Sequence, residues 1–259
     1  MTYEESFRMS DLTGKTALVT GASRGIGRAL AVGLARTGAD VVLSARDEEL
    51  LEQARGEVEA LGRKAVVVVA DVTDPAACVR LGEEAVAAFG GLDVLVNNAG
   101  GSSYMGPFTD LRFSGWEKTM RLNVDSIVRL SQVVGRHMVE RGSCSVINVA
   151  SVAGLTATPS LAAYGASKAA VISLTETLAL EWGPAGVRVN ALCPGWTRTD
   201  LNQDLWGDEE LAAMMVANQG LKRWADVEEM VGPTVFLAGN ASSYVTGQTL
   251  VVDGGQTAA

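Results

Sequence analysis

Histidine is almost missing from this sequence: His137 is the only one. The three cysteines, Cys78, Cys144 and Cys193, lie far apart, and no pair has metal-ligand spacing. A zinc-dependent hydrolase or dehydrogenase therefore has too few ligands, and metal-assisted chemistry is not expected. A Ser-His-Asp hydrolase would need His137 as its base, yet no serine sits in a G-x-S-x-G elbow. His137 and the cysteines read as structural residues, and an odd number of scattered thiols suits a reduced, cytoplasmic protein. Basic charge is short as well. Lys and Arg number 21 against 30 Asp and Glu, a formal charge of -9, so nucleic acid and anionic membranes would be repelled rather than steered in. No apolar run reaches the ~18 residues of a membrane span. The opening MTYEESFRMSDL has no basic region followed by an apolar core, which argues against a signal peptide and leaves residues 1–11 as a polar extension.

What the chain has in quantity is apolar residues, 47% of 259, enough for a sizeable core. Seven short β-branched runs stand out: Thr16–Thr20, Val41–Ala45, Ala65–Ala70, Leu92–Val96, Ser145–Ala150, Val187–Leu192 and Thr249–Val252. They are nearly continuous in apolar character, and most are separated by helical segments of 12 or more residues. This pattern predicts a parallel sheet covered on both faces. Right-handed crossovers then make it a doubly wound, Rossmann-type α/β sheet of seven strands. No linker interrupts it, so residues 1–259 read as one domain.

Ligands of such sheets bind beyond the carboxyl ends of the strands. After the first run stands TGASRGIG, with Gly21, Gly25 and Gly27 leading into the amphipathic RALAVGLART. Glycines at a strand-to-helix turn let a pyrophosphate approach the backbone at a helix N-terminus. The spacing is G-x-x-x-G-x-G rather than G-x-G-x-x-G, and a glycine cluster alone would be weak evidence. Farther on, LAAYGASKAAVISL places Tyr164 and Lys168 on one face of an Ala-rich helix. Taken by itself, that stretch fits a snorkelling lysine beside a boundary aromatic better than a site. The rest of the chain reverses this preference.

TGASRGIG, the ADV at Ala70–Val72, NNAG at Asn97–Gly100 and Asn123 in RLNVDS all occur in order. They are followed by Ser151, by Tyr164 13 residues later in YGASK, by CPGWTRTD and by VTGQTLVVDGG. With these motifs the sequence resembles the short-chain dehydrogenase/reductase (SDR) family from about Leu12 to Gly255. The resemblance implies hydride transfer between a nicotinamide and a carbonyl or alcohol carbon, with Tyr164 as general acid/base. Lys168 would lower the phenol's pKa and hold the nicotinamide ribose. Ser151 would hydrogen-bond the substrate oxygen, and Asn123 would position a water or the lysine. The cofactor would lie along Gly21, Ser23, Arg24, Gly25, Ile26 and Gly27, with Asp71 and Val72 at the adenine. Asn98, Ala99 and Gly100 would pass close to it. In the loop of Pro194 and Gly195, the Thr197 backbone and the Thr199 hydroxyl would orient the carboxamide.

An NAD enzyme would place an acid about 20 residues past the glycines to grip the ribose hydroxyls. Here Ala45 stands there, followed by Arg46, with Arg24 inside the turn. Two guanidiniums facing a 2′-phosphate predict NADP(H), although Asp47 could weaken the effect. The main expectation is an NADP(H)-dependent ketone reductase or secondary alcohol dehydrogenase. A sugar-acid or polyol dehydrogenase of the gluconate 5-dehydrogenase kind is the alternative, as is a 3-oxoacyl-carrier-protein reductase. Ser145 and Ala185 stand where basic residues are frequent in carrier-linked reductases, which weakens the latter. A non-catalytic dinucleotide sensor fits least. Substrate choice is expected in a lid over residues 200–224, with Trp206, Met214 and Met215 as apolar lining. The small residues flanking Tyr164 would allow close packing in a homotetramer or homodimer.

Overall fold

The computed structural model describes residues 10–258; most of the N-terminal extension lies outside them. Seven strands form one parallel sheet: β1 (Thr16–Thr20), β2 (Asp40–Ala45), β3 (Ala65–Val69), β4 (Val94–Asn97), β5 (Ser145–Val149), β6 (Arg188–Pro194) and β7 (Thr249–Val252). Their spatial order is β3-β2-β1-β4-β5-β6-β7, so the winding reverses between β1 and β4. That reversal opens a crevice at the carboxyl edge, where the glycine turn begins. The run Leu92–Val96 begins two residues ahead of β4 and stops one short of its end. Asp93 already pairs through its N–H with the Thr16 carbonyl (3.0 Å), but it is an anchoring carboxylate and lies just before the strand.

Alternation along β1 assigns the two faces. Ala17 and Val19 join a core with Leu30, Ala31 and Leu34 of helix α1 (Gly25–Arg36) and Leu51, Ala54 and Val58 of α2 (Glu48–Ala60). Leu18 faces the other way, toward Leu81 of α3 (Pro75–Ala88) and Leu130, Val134 and Met138 of α5 (Ser126–Arg141). Burying each such side chain contributes about 1.5–3 kcal/mol, so both faces of the sheet are sealed by helices.

Helix starts follow local chemistry. Asp47 accepts from the Leu50 N–H (3.1 Å) to cap α2, and Asp74 accepts from the Ala76 N–H (2.9 Å) ahead of Pro75 to cap α3. Between α4 (Phe113–Met120) and α5 the chain widens into one π-helical stretch, Arg121–Asp125. Such insertions are frequent at functional sites, and Asn123 lies at its centre. The 21-residue α6 (Ala162–Trp182) follows β5, and α7 (Gln203–Trp206), α8 (Glu209–Val216) and α9 (Val231–Ala238) come between β6 and β7. No helix among the described residues is long and apolar enough to cross a membrane.

Candidate active site

The glycine turn explains its own spacing. Gly21 and Gly25 have φ of +67° and +56°, a left-handed backbone that side chains resist. Gly27 is helical, but a Cβ there would run into the Gly21 carbonyl oxygen and the Asn98 amide. The first turn of α1 is therefore held tight against the end of β1. Unlike α2 and α3, this helix has no side chain capping its start, and its first turn carries no acid. Its leading N–H groups and positive dipole end face the crevice with no anion of their own. That donor set fits a pyrophosphate. Ser23 is buried in the turn and Ile26 partly so, while Arg24 is exposed at the N-cap.

The loop after β4 is pinned across to β1 by Thr20, a residue the motif reading missed. The Thr20 hydroxyl accepts from the N–H groups of Asn98 and Ala99 (both 3.0 Å), and the Asn98 amide donates to the Thr20 carbonyl (2.8 Å). Gly100 follows, exposed, with Asn123 Oδ1 3.1 Å and Lys168 Nζ 3.2 Å from where a Cβ would stand. Glycine thus leaves room for two polar groups to converge. Asn123 is fully buried. Its Oδ1 accepts from the Gly101 N–H (2.9 Å), while Nδ2 donates to the Gly101 carbonyl (2.9 Å) and the Ser167 hydroxyl (2.8 Å). These bonds go to the loop and to α6 rather than to Lys168, so the Asn123 amide braces the walls on either side of the lysine. Ser167 had no sequence signal beyond lying three residues from Tyr164, whose carbonyl it also holds (2.7 Å).

Ser151 leaves β5 and starts a short turn, Val152–Gly154, that lies directly on α6. Two glycines permit the contact: a Cβ on Gly154 would come within 2.7 Å of the Lys168 carbonyl carbon, and one on Gly165 within 2.9 Å of the Ala153 carbonyl oxygen. This close approach, also unforeseen, brings Ser151 to the Tyr164 phenol. Lys168 Nζ lies 5.6 Å from the Tyr164 ring centre and donates to the Val149 carbonyl (2.7 Å). The lysine is only 3% exposed, and no carboxylate among the described residues pairs with it. Burial pushes its pKa down to about 8, against a smaller upward pull from Cys193.

Burial holds Tyr164 above its ordinary value, and the Ser151 hydroxyl beside it offsets only part of that rise. Phenolate is favoured by positive charge nearby, which Lys168 and an oxidised nicotinamide would supply together in the loaded site.

At the adenosine end, Arg24 and Arg46 are both exposed, and neither has an ion-pair partner among the described residues. Asp47 is turned into its capping role at α2, so it does not compete for Arg46. Asp71 lies nearer. Burial raises its carboxyl, but Thr73, through its N–H (2.9 Å) and hydroxyl (2.8 Å), and the charge of Arg46 leave it below its usual value. The neighbourhood of Arg46 is thus less free of acid than the sequence implied. Val72 is buried beside it.

Past β6, Pro194 ends the strand, and a Cβ on Gly195 would meet the Asp253 Cα at 2.7 Å. Thr197 is buried, and the Thr199 methyl lies 3.6 Å from where a Gly25 Cβ would stand. The segment of residues 200–224 folds over as α7 and α8. Trp206 is half-buried and donates its indole N–H to the Thr199 carbonyl (2.9 Å). Met214, expected as pocket lining, is 66% exposed. Trp224 is the buried anchor instead, 5.1 Å from Trp196 and donating to the Ala212 carbonyl (3.0 Å).

A crevice with an uncapped helix start at one end and a serine, a phenol and a buried ammonium at the other suits a dinucleotide beside an acid/base group. A family model described as enoyl-(acyl carrier protein) reductase matches residues 21–257. Gluconate 5-dehydrogenase of Gluconobacter oxydans (strain 621H) is 44% identical over 250 residues, 95% of this chain and 96% of that protein. The chain belongs to the short-chain dehydrogenase/reductase family. It is an oxidoreductase that works with a nicotinamide cofactor. It is also similar to 2-dehydro-3-deoxy-D-gluconate 5-dehydrogenase of Dickeya dadantii (strain 3937), 38% identical with 95% and 96% of the two chains covered. Among solved structures, a gluconate 5-dehydrogenase from Burkholderia cenocepacia J2315, in complex with NADP and tartrate, superimposes with a TM-score of 0.93. That pair is 38% identical, with 98% and 99% of the two chains covered.

Proposed function

We propose that this SDR enzyme is an NADP(H)-dependent sugar-acid dehydrogenase that interconverts a secondary hydroxyl and a ketone on an aldonic acid such as gluconate. The observation that carries the chemistry is the meeting of Ser151, Tyr164 and Lys168 where the Val152–Gly154 turn lies on α6. The substrate class is supported by the gluconate and 2-dehydro-3-deoxy-D-gluconate dehydrogenases among its relatives. These favour the sugar-acid alternative over the simple ketone reductase that was the leading expectation. NADP(H) is supported by the exposed Arg24 and Arg46, which make no ion pair among the described residues, and by the NADP held by the Burkholderia relative.

In this reading the nicotinamide supplies or accepts the hydride at the substrate carbon. The chain manages the proton. Tyr164 gives its phenolic proton to the substrate oxygen during reduction and takes it back during oxidation, while Ser151 hydrogen-bonds the same oxygen and fixes its distance. A phenol raised by burial keeps its proton but is the weaker acid for it and a reluctant phenolate, so proton transfer in either direction depends on positive charge nearby. Lys168 provides one such charge while it keeps its proton, below about pH 8. Its ammonium also reaches the space above Gly100, where a ribose hydroxyl would be held. Asn123 keeps that space open through Gly101 and Ser167.

The test is the rate of NADPH formation from NADP⁺ with D-gluconate, 2-dehydro-3-deoxy-D-gluconate, L-rhamnose and simple secondary alcohols. A kcat/KM for one of the two acids well above those for the neutral substrates is expected. Turnover of neutral alcohols only would overturn the sugar-acid reading and leave the oxidoreductase intact.

A further inference from the structure

Asn202 ends the short turn Asp200–Asn202 that carries the chain from the Thr197–Thr199 loop into α7. Its Oδ1 accepts from both the N–H and the hydroxyl of Thr199 (2.9 Å each), and its Nδ2 donates to the Thr197 carbonyl (2.9 Å). The orientation of this amide is fixed by the backbone, because a carbonyl can only accept and an N–H can only donate. The consequence falls on Thr199. Its carbonyl takes the Trp206 indole N–H and the Asn202 N–H (3.2 Å), its own N–H goes to Asn202, and its hydroxyl also receives the Asn202 N–H in a capping box while its one proton points at Asn202 Oδ1. A hydroxyl with its proton committed offers only lone pairs.

We propose that Asn202 is a positioning residue that makes Thr199 an obligate acceptor, so that the site grips the nicotinamide carboxamide by its NH₂ and rejects groups that can only accept. This rests on the reading that Thr199 faces the carboxamide. It also ties the 200–224 segment to recognition of the nicotinamide, since the same turn that launches α7 sets the polarity of the hydroxyl.

Dissociation constants, measured by calorimetry without substrate, test it. NADP⁺ is compared with its 3-acetylpyridine analogue, in which a methyl ketone replaces the carboxamide and no N–H remains. The wild-type protein is expected to favour NADP⁺ by about tenfold, the equivalent of one buried hydrogen bond. In Asn202→Ala the Thr199 hydroxyl is free to turn and donate, so the preference should fall to about unity. Asn202→Asp keeps both acceptor bonds to Thr199 and should retain most of it. Thr199→Val should abolish it. A preference that survives Asn202→Ala but is lost in Thr199→Val overturns the role of Asn202. A preference that survives Thr199→Val shows that Thr199 does not face the carboxamide, and the proposal fails with that reading.

Discussion

The two ends of the sheet are built from similar residues and do opposite things with them. At the amino end, the buried Asp93 carboxylate is met by opposite charge, and the other buried polar groups by neutral partners. The Asp93 carboxylate takes the Thr16 N–H (3.0 Å) and hydroxyl (3.1 Å), the Arg141 guanidinium (3.1 Å) and the Lys15 ammonium (3.4 Å). His137 accepts the Leu92 N–H (3.1 Å), and Arg188 spans the Ser242 hydroxyl and the Gly239 carbonyl. At the carboxyl end, the start of α1 has no side-chain cap, Arg24 and Arg46 make no ion pair among the described residues, and a buried lysine bonds a neutral carbonyl. A parallel sheet sealed on both faces leaves only its ends accessible. One end closes the fold; the other holds charge in reserve for a ligand.

The comparison breaks first at Lys168. Replacing it with Met removes a buried cation that has no counter-charge, so the folded protein should be no less stable, while kcat/KM falls by about 10² or more. NADP⁺ affinity should fall too. Thermal unfolding together with steady-state rates decides this, and a destabilised but active variant would put Lys168 on the structural side.

Asp93→Asn is the mirror experiment. Activity should persist and stability should drop by about 1–2 kcal/mol, discounted because Lys15 and Arg141 are partly exposed. The pH dependence has a definite sign. Burial alone would raise the Asp93 carboxyl, but the Thr16 N–H, Lys15 and Arg141 hold it below its ordinary 3.8. A depressed folded value means that this stabilisation is present above about pH 4 and is lost as pH falls through the folded value. The stability gap between wild type and Asp93→Asn should therefore shrink with acid below pH 4. A gap that is constant, or that widens, would contradict the ion-pair account of this end.

Arg46→Leu sharpens the contrast at smaller scale. Losing one charge-assisted hydrogen bond to a 2′-phosphate should erode the NADPH over NADH ratio of kcat/KM by about tenfold. Adding Ala45→Asp should carry it further by repelling the phosphate and offering the ribose hydroxyls an acceptor. Because Asp71 already lies near Arg46, the wild-type preference should be smaller than two wholly unopposed arginines would give. A wild-type protein that prefers NADH would make both arginines ordinary solvated charges.

What the sequence made legible were the features whose cause is local. The β-branched runs, the left-handed glycines of the turn and the Tyr164–Lys168 spacing each follow from a few neighbouring residues. What it hid depends on contacts between distant segments. Thr20 matters because β1 lies beside β4, and Ser167 because a π-helical turn swings Asn123 toward it. Gly154 and Gly165 look like ordinary small residues until the Val152–Gly154 turn is seen lying on α6. Asn202 carries no motif, yet it decides where one proton of Thr199 goes. For the same reason, the proximity of a lysine to Tyr164 can be read from i and i+4, whereas the depth of burial that raises the phenol cannot.

Tyr164 is the proposed proton-transferring group at the open end of the sheet. Its most direct test is the turnover of Tyr164→Phe with NADP⁺ and D-gluconate, alongside its affinity for NADP⁺. Removing only the hydroxyl should lower kcat by about 10²-fold or more while cofactor affinity stays close to wild type. A variant that turns over at near-normal rate would contradict the assignment and with it the proposed mechanism.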